Sequence, residues 1–127
     1  MANWYGASRS NYFKVKDAAA FEAKMAALGV GVVTSQDGAL AVLGSDEGYW
    51  PSCDPNTDED IEFIELVAGY LADDEVAIFI TSGAEKLRYI SGYATAVNNK
   101  LETRDVNLND IYKLAEELGP NVTEASY

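Results

Sequence analysis

Apolar and polar positions alternate over residues 11–15 (NYFKV), the pattern of a half-buried strand. Asp17 then offers a helix N-cap. Phe21, Met25 and Leu28 recur at i, i+4 and i+7, and Gly29 supplies the stop. Residues 30–34 and 39–43 read as two short apolar strands around the hairpin turn Gln36-Asp37-Gly38. From 44 to 60 periodicity dissolves into Gly, Ser, Pro, Asn and Asp, a loop long enough to suggest a functional role.

Residues 61–71 mix two periods. Ile61 and Phe63 alternate, whereas Ile64, Val67, Ala68 and Leu71 keep helical spacing, so a short strand is expected to run into a helix ending near Asp73. Residues 76–81 (VAIFIT) form a strand, 82–85 a turn, and 87–97 a long returning strand. Asn98-Asn99-Lys100 turns the chain into a strand at 101–106. Asn107 caps a last helix carrying Leu108, Ile111, Tyr112, Ala115 and Leu118, with Asp110 completing a capping box and Gly119-Pro120 ending it. This order predicts an α+β fold: an antiparallel sheet of about five to six strands with two to three helices packed on one face. Residues 1–127 read as a single domain with a long acidic loop at about 44–60.

Charge changes the picture most. Between Lys24 and Lys86 there is no lysine or arginine, yet thirteen carboxylates fall there, so the net charge of −12 resides in the middle of the chain. Such a field attracts basic protein surfaces and repels nucleic acid and anionic membranes. Direct binding of DNA or RNA would need Arg9, Lys14, Lys16, Lys86, Arg88, Lys100 and Arg104 to gather against that field. Fourteen aromatic residues argue for a folded chain despite the charge. No apolar run approaches a membrane span, and the first residues carry no signal-peptide pattern, so an intracellular, cytoplasmic location is expected.

Catalytic chemistry finds little footing. The absence of histidine removes Ser-His-Asp and Cys-His arrangements and most zinc sites. Cys53 stands alone, so it can form no intrachain disulfide, and no basic neighbour in sequence activates its thiol. Gly44, Gly48 and Gly83 fit no phosphate-cradling spacing. No enzymatic activity is expected. One stretch does resemble a twelve-residue calcium loop: Asp54, Asn56 and Asp58 fall at positions 1, 3 and 5, and Glu65 at 12, with Asp60 adding a further oxygen. Glu59 occupies the sixth position, where a glycine normally turns the loop, and the segment before Asp54 cannot be an entering helix. Calcium is thus an alternative ligand; no other cofactor is expected.

Large aromatics among charges have the composition of a protein-binding hot spot, and Tyr49 and Trp50 sit inside the acidic loop. The bland alternative is that Trp50 pins the loop to the core. A partner-binding strip is expected from Asp46, Glu47, Tyr49, Trp50, Asp54, Asp58, Glu59, Asp60, Glu62, Glu65, Asp73, Asp74 and Glu75.

The segments MANWYGASRSNYFKVKD, EKLRYISGYATAVNNK and DVNLNDIYKLAEELGPNVTEASY resemble a family of small acidic proteins encoded by bacteriophages, plasmids and integrated elements. The resemblance covers both ends of the chain and implies no catalytic residues. It implies an antidefence role of the anti-CRISPR or anti-restriction type: binding a host nucleic-acid-handling complex and inhibiting it. Carboxylates spaced like phosphates would then occupy a basic channel as a nucleic-acid mimic. The alternatives are a cation-binding module using the loop at 54–65, or a non-enzymatic accessory or assembly protein of a phage or plasmid, including a homo-oligomer.

Overall fold

The computed structural model describes residues 4–86 and 89–125. In chain order the elements are β1 (Trp4–Ser10), α1 (Ala18–Leu28), β2 (Gly31–Thr34), β3 (Leu40–Leu43), α2 (Phe63–Ala68), β4 (Ala77–Glu85), β5 (Tyr89–Val97), β6 (Thr103–Asn107) and α3 (Asp110–Ala115). The six strands form one antiparallel sheet in the order β2-β3-β1-β4-β5-β6. The α+β architecture with an antiparallel sheet is therefore as the residue pattern predicts.

The first strand lies upstream of its expected place. Residues 11–15 contribute only isolated bridges, Phe13 to Leu40 and Val15 to Leu71. The run WYGASRS is poor in strand formers, yet it pairs with β4 at every position from Trp4↔Glu85 to Ser10↔Phe79. Partner context overrides intrinsic preference here. The same ladder carries β4 through residues 82–85, which alone look like a turn. Gly6 and Gly83 sit directly opposite each other in it. A Cβ on Gly83 would lie 2.3 Å from the Trp4 ring and one on Gly6 2.5 Å from the indole nitrogen, so the glycine pair leaves room for that indole.

The first helix follows its local signals. The Asp17 carboxylate accepts the Ala20 N–H at 3.1 Å, and Gly29 takes the left-handed conformation at φ 75°. Phe21, Met25 and Leu28 point into a core shared with Phe13, Leu40, Val42, Val67, Leu71 and Phe79. The Phe21 ring meets Phe13 and Tyr70 edge-on at 5.9 and 5.4 Å. The second helix begins at Phe63 with no strand before it; residues 53 and 60 form a single bridge instead.

This core lies on one side of the sheet and toward one end. Ala77, Phe79 and Thr81 of β4 face it, and the strand alternation turns Ile78, Ile80, Ser82 and Ala84 the other way. Beyond β4 the cover thins. All five β6 residues are exposed, and α3 buries none of its side chains. The Asp110 carboxylate does accept the Asn107 N–H at 2.9 Å, the capping contact expected from sequence, although the helix itself starts at Asp110. The residues Leu87 and Arg88, expected to open the long returning strand, lie outside the described residues.

Two outcomes test this description. Truncation of the fully buried ring in Phe21→Ala is expected to cost about 3–5 kcal/mol by chemical denaturation, against about 1 kcal/mol for loss of the cap in Asp17→Ala. At the β2–β3 turn, the Ser35 hydroxyl and then the Ala39 N–H hold the Asp37 carboxyl below its ordinary 3.8. A lowered folded value stabilises the fold above the unfolded value and loses that stabilisation as pH falls through the folded one. Ser35→Ala is expected to raise the Asp37 pKa in an NMR titration; an unmoved titration curve would refute the hydroxyl's role.

Candidate partner-binding surface

The acidic loop is held in place by one aromatic side chain. Trp50 stacks on Phe63 at 5.1 Å with 12° between planes, and meets Phe79 edge-on at 5.5 Å. Phe63 and Phe79 themselves touch edge-on at 6.0 Å. Trp50 therefore joins the loop to α2 and to the sheet, which is the pinning role rather than that of a freely presented ring. Tyr49 beside it is 55% exposed and available at the surface.

Residues 52–61 close on themselves. The Ile61 N–H donates to the Ser52 carbonyl at 2.9 Å and the Asp54 N–H to the Glu59 carbonyl at 2.8 Å. Asp58 returns its N–H to the Asp54 carbonyl at 2.8 Å and takes a left-handed φ of 59°. The Asp54 carboxylate is already engaged: one oxygen accepts the Asn56 N–H at 2.8 Å, and the other lies 3.6 Å from the Lys24 ammonium. Lys24 on α1 thus anchors the loop by the one ion pair found among the described residues.

The expected calcium ligands Asp54, Asn56, Asp58, Asp60 and Glu65 do not converge. Among the described residues no group of three or more His, Cys, Asp or Glu side chains could hold a metal ion. The physical reason is visible at Asp54, whose oxygens serve the loop's own N–H and a lysine. The spacing of a calcium loop is present without its inward-turned oxygens.

The expected acidic strip divides into three groups. Asp58, Glu59, Asp60, Glu62 and Glu65 are exposed together where the loop enters α2. Asp73, Asp74 and Glu75 lie at the start of β4: Asn99 donates to Asp73 at 2.9 Å, and Glu75 accepts the Lys14 N–H at 2.7 Å. Asp46 and Glu47 lie toward the other end of that strand, where the Trp4 indole N–H donates to the Glu47 carbonyl at 3.1 Å. Six residues of β4, about 20 Å, separate Ala77 from Gly83.

A further surface has no counterpart in the sequence reading. The sheet face turned away from α1 and α2 is apolar, with Ile80, Ile90 and Val106 51–63% exposed. Beside it, Tyr5, Ala7, Ser82, Ala84, Ile90, Leu108, Asp46 and Glu47 contribute to the lining of a broad groove of about 870 Å³. The available signal was small-residue alternation in β4 and β5, which reads as ordinary strand interior until the helices are seen to cover only the opposite face.

No family model matches this chain, and no curated protein or solved structure matches it either. No helix among the described residues is long and apolar enough to cross a membrane.

Replacing Trp50 by alanine removes the joint between loop, helix and sheet, at an expected cost of about 3–5 kcal/mol. Limited proteolysis of the folded variant should cut first within 49–61; an unchanged cleavage pattern would show that the loop is held by its backbone alone.

Proposed function

We propose that this chain is a non-catalytic binding protein whose acidic surface docks on a basic, nucleic-acid-handling partner and blocks it. The observation that carries this reading is the central acidic group: Asp58, Glu59, Asp60, Glu62 and Glu65 stand exposed on the loop and the first turn of α2, which Trp50 joins to each other and to the core. A fixed array of carboxylates loses less freedom on docking than a flexible acidic tail would. Lysines and arginines that ordinarily neutralise phosphates can pair with it instead, so the partner's channel is filled by a nucleic-acid mimic. The resemblance of both chain ends to proteins of phages, plasmids and integrated elements supports a host defence complex as that partner, in the manner of an anti-CRISPR or anti-restriction protein. Cytoplasmic action in the bacterial host follows from the same reading.

The partner is found by capturing the tagged chain's associates from bacterial lysate and releasing them with rising salt. Binding of the purified partner should weaken as salt rises from about 50 to about 300 mM, because exposed charges are increasingly screened. The variant Asp58→Asn, Glu59→Gln, Asp60→Asn should lower affinity about 10- to 100-fold and flatten that salt dependence. Full affinity in the triple variant would place the contact elsewhere on the molecule.

A further inference from the structure

The side of the sheet that carries α1 and α2 is only partly covered by them. Strand pairing puts Phe79 and Thr81 of β4 on that side, opposite Thr95 and Tyr93 of β5. Those two stand opposite Asp105 and Asn107 of β6. Cover ends between neighbours: Thr81 is 5% exposed, whereas Tyr93 beside it is 51% exposed and Asp105 and Asn107 are open to solvent. Further along β5, Ser91 and Tyr89 are exposed on the same side.

Composition and charge distinguish this stretch from the opposite face. Tyrosine among serine, threonine and asparagine is the make-up of protein-binding paratopes, because the ring supplies contact area at little cost in rotamer freedom. The opposite face offers Ile80, Ile90, Ala94 and Val106 instead. Among the described strand positions of β1, β4, β5 and β6, this side holds the carboxylates Glu85 and Asp105 and no lysine or arginine. Arg9 and Arg104 fall on the other side, in line with Ile80 and Ala96. The stretch is therefore complementary to a cation.

It also adjoins the central acidic group. Phe63, the first residue of α2, meets Phe79 edge-on at 6.0 Å, and Phe79 pairs with Thr95. Tyr93 is the next residue along β5 on that side, a diagonal neighbour of Phe79 at about 7–8 Å. The helix that carries Glu65 thus begins next to the tyrosine stretch.

Tyr93 and Asp105 suit one kind of cation. The Thr95 hydroxyl donates to Asp105 Oδ1 at 2.6 Å and fixes the carboxylate. Asp105 is diagonal to Tyr93 in the β5–β6 ladder, so ring and carboxylate lie within the span of one arginine side chain. A planar guanidinium stacks on a tyrosine face and pairs with a carboxylate at once. A strongly hydrated ammonium on a flexible stem gains less from the ring.

We infer that Tyr93 and Asp105 form an arginine-recognition site, which takes an arginine-bearing segment of the basic partner beside the central acidic group. This rests on the acidic-surface reading and deepens it. The carboxylates attract any cation, and the tyrosine selects arginine over lysine.

Calorimetric titration of the purified chain with nona-arginine and with nona-lysine, at low salt, separates the two readings. The peptides carry equal charge, so a difference in affinity reports the guanidinium. Nona-arginine is expected to bind about 10-fold more tightly. Tyr93→Ala should abolish that preference, Tyr93→Phe should keep it, and Asp105→Asn should reduce it. Tyr93 is half-exposed, so the fold should persist, as a circular dichroism melt checks. Tyr5→Ala, on the other face, should leave both affinities unchanged. The variant Asp58→Asn, Glu59→Gln, Asp60→Asn should weaken both peptides alike and preserve their ratio. Equal affinity of the wild-type chain for the two peptides overturns the arginine site, and so does a preference that survives Tyr93→Ala. Unchanged affinities in the triple variant, with the ratio lost in Tyr93→Ala, would uphold the arginine site and count against the acidic group alone.

Discussion

The stack of Trp50 on Phe63, with Phe79 against both edges, is the contact on which the rest of the molecule depends. It joins three parts of the chain that have little other reason to meet: a loop rich in carboxylates, a six-residue helix too short to persist alone, and the central strand of the sheet. The carboxylates of the loop repel one another, and one lysine offsets only one of them. Burial of aromatic surface supplies what charge pairing does not. The acidic surface has a fixed shape because its anchor is apolar.

The sheet separates two physical environments. One face is covered by α1 and α2 and holds the core, and the acidic group rises from that side. The other face is small, apolar and free of carboxylates on its strands.

Local signals were legible wherever they decided the structure. Asp17, the Phe21-Met25-Leu28 spacing and Gly29 set the first helix within a residue of its observed span, because cap and period agree there. The β2–β3 hairpin and the core of β4 were equally readable. The first strand was not: Gly6, Ala7, Ser8 and Ser10 form a ladder only because β4 stands beside them. The ambiguity at 61–63 was settled by Trp50, thirteen residues away from Phe63, through a contact that no local window contains. The last helix shows the opposite failure. Its apolar period is real, but periodicity says only that a face seeks cover, and among the described residues none of its positions is buried. For the candidate site, the exposure of the acids was legible and their division into three groups was not, since that depends on the length of β4.

The two tryptophans inherit contrasting surroundings from this arrangement. Trp50 is enclosed between phenyl rings, whereas Trp4 lies at the margin of the groove with its N–H on a backbone carbonyl. Ring packing around Trp50 is expected to place its emission to the blue of that of Trp4. The molecule thus carries two built-in optical reporters, one reading the docking of the acidic loop on α2 and the other the contact of Trp4 with the Glu47 carbonyl.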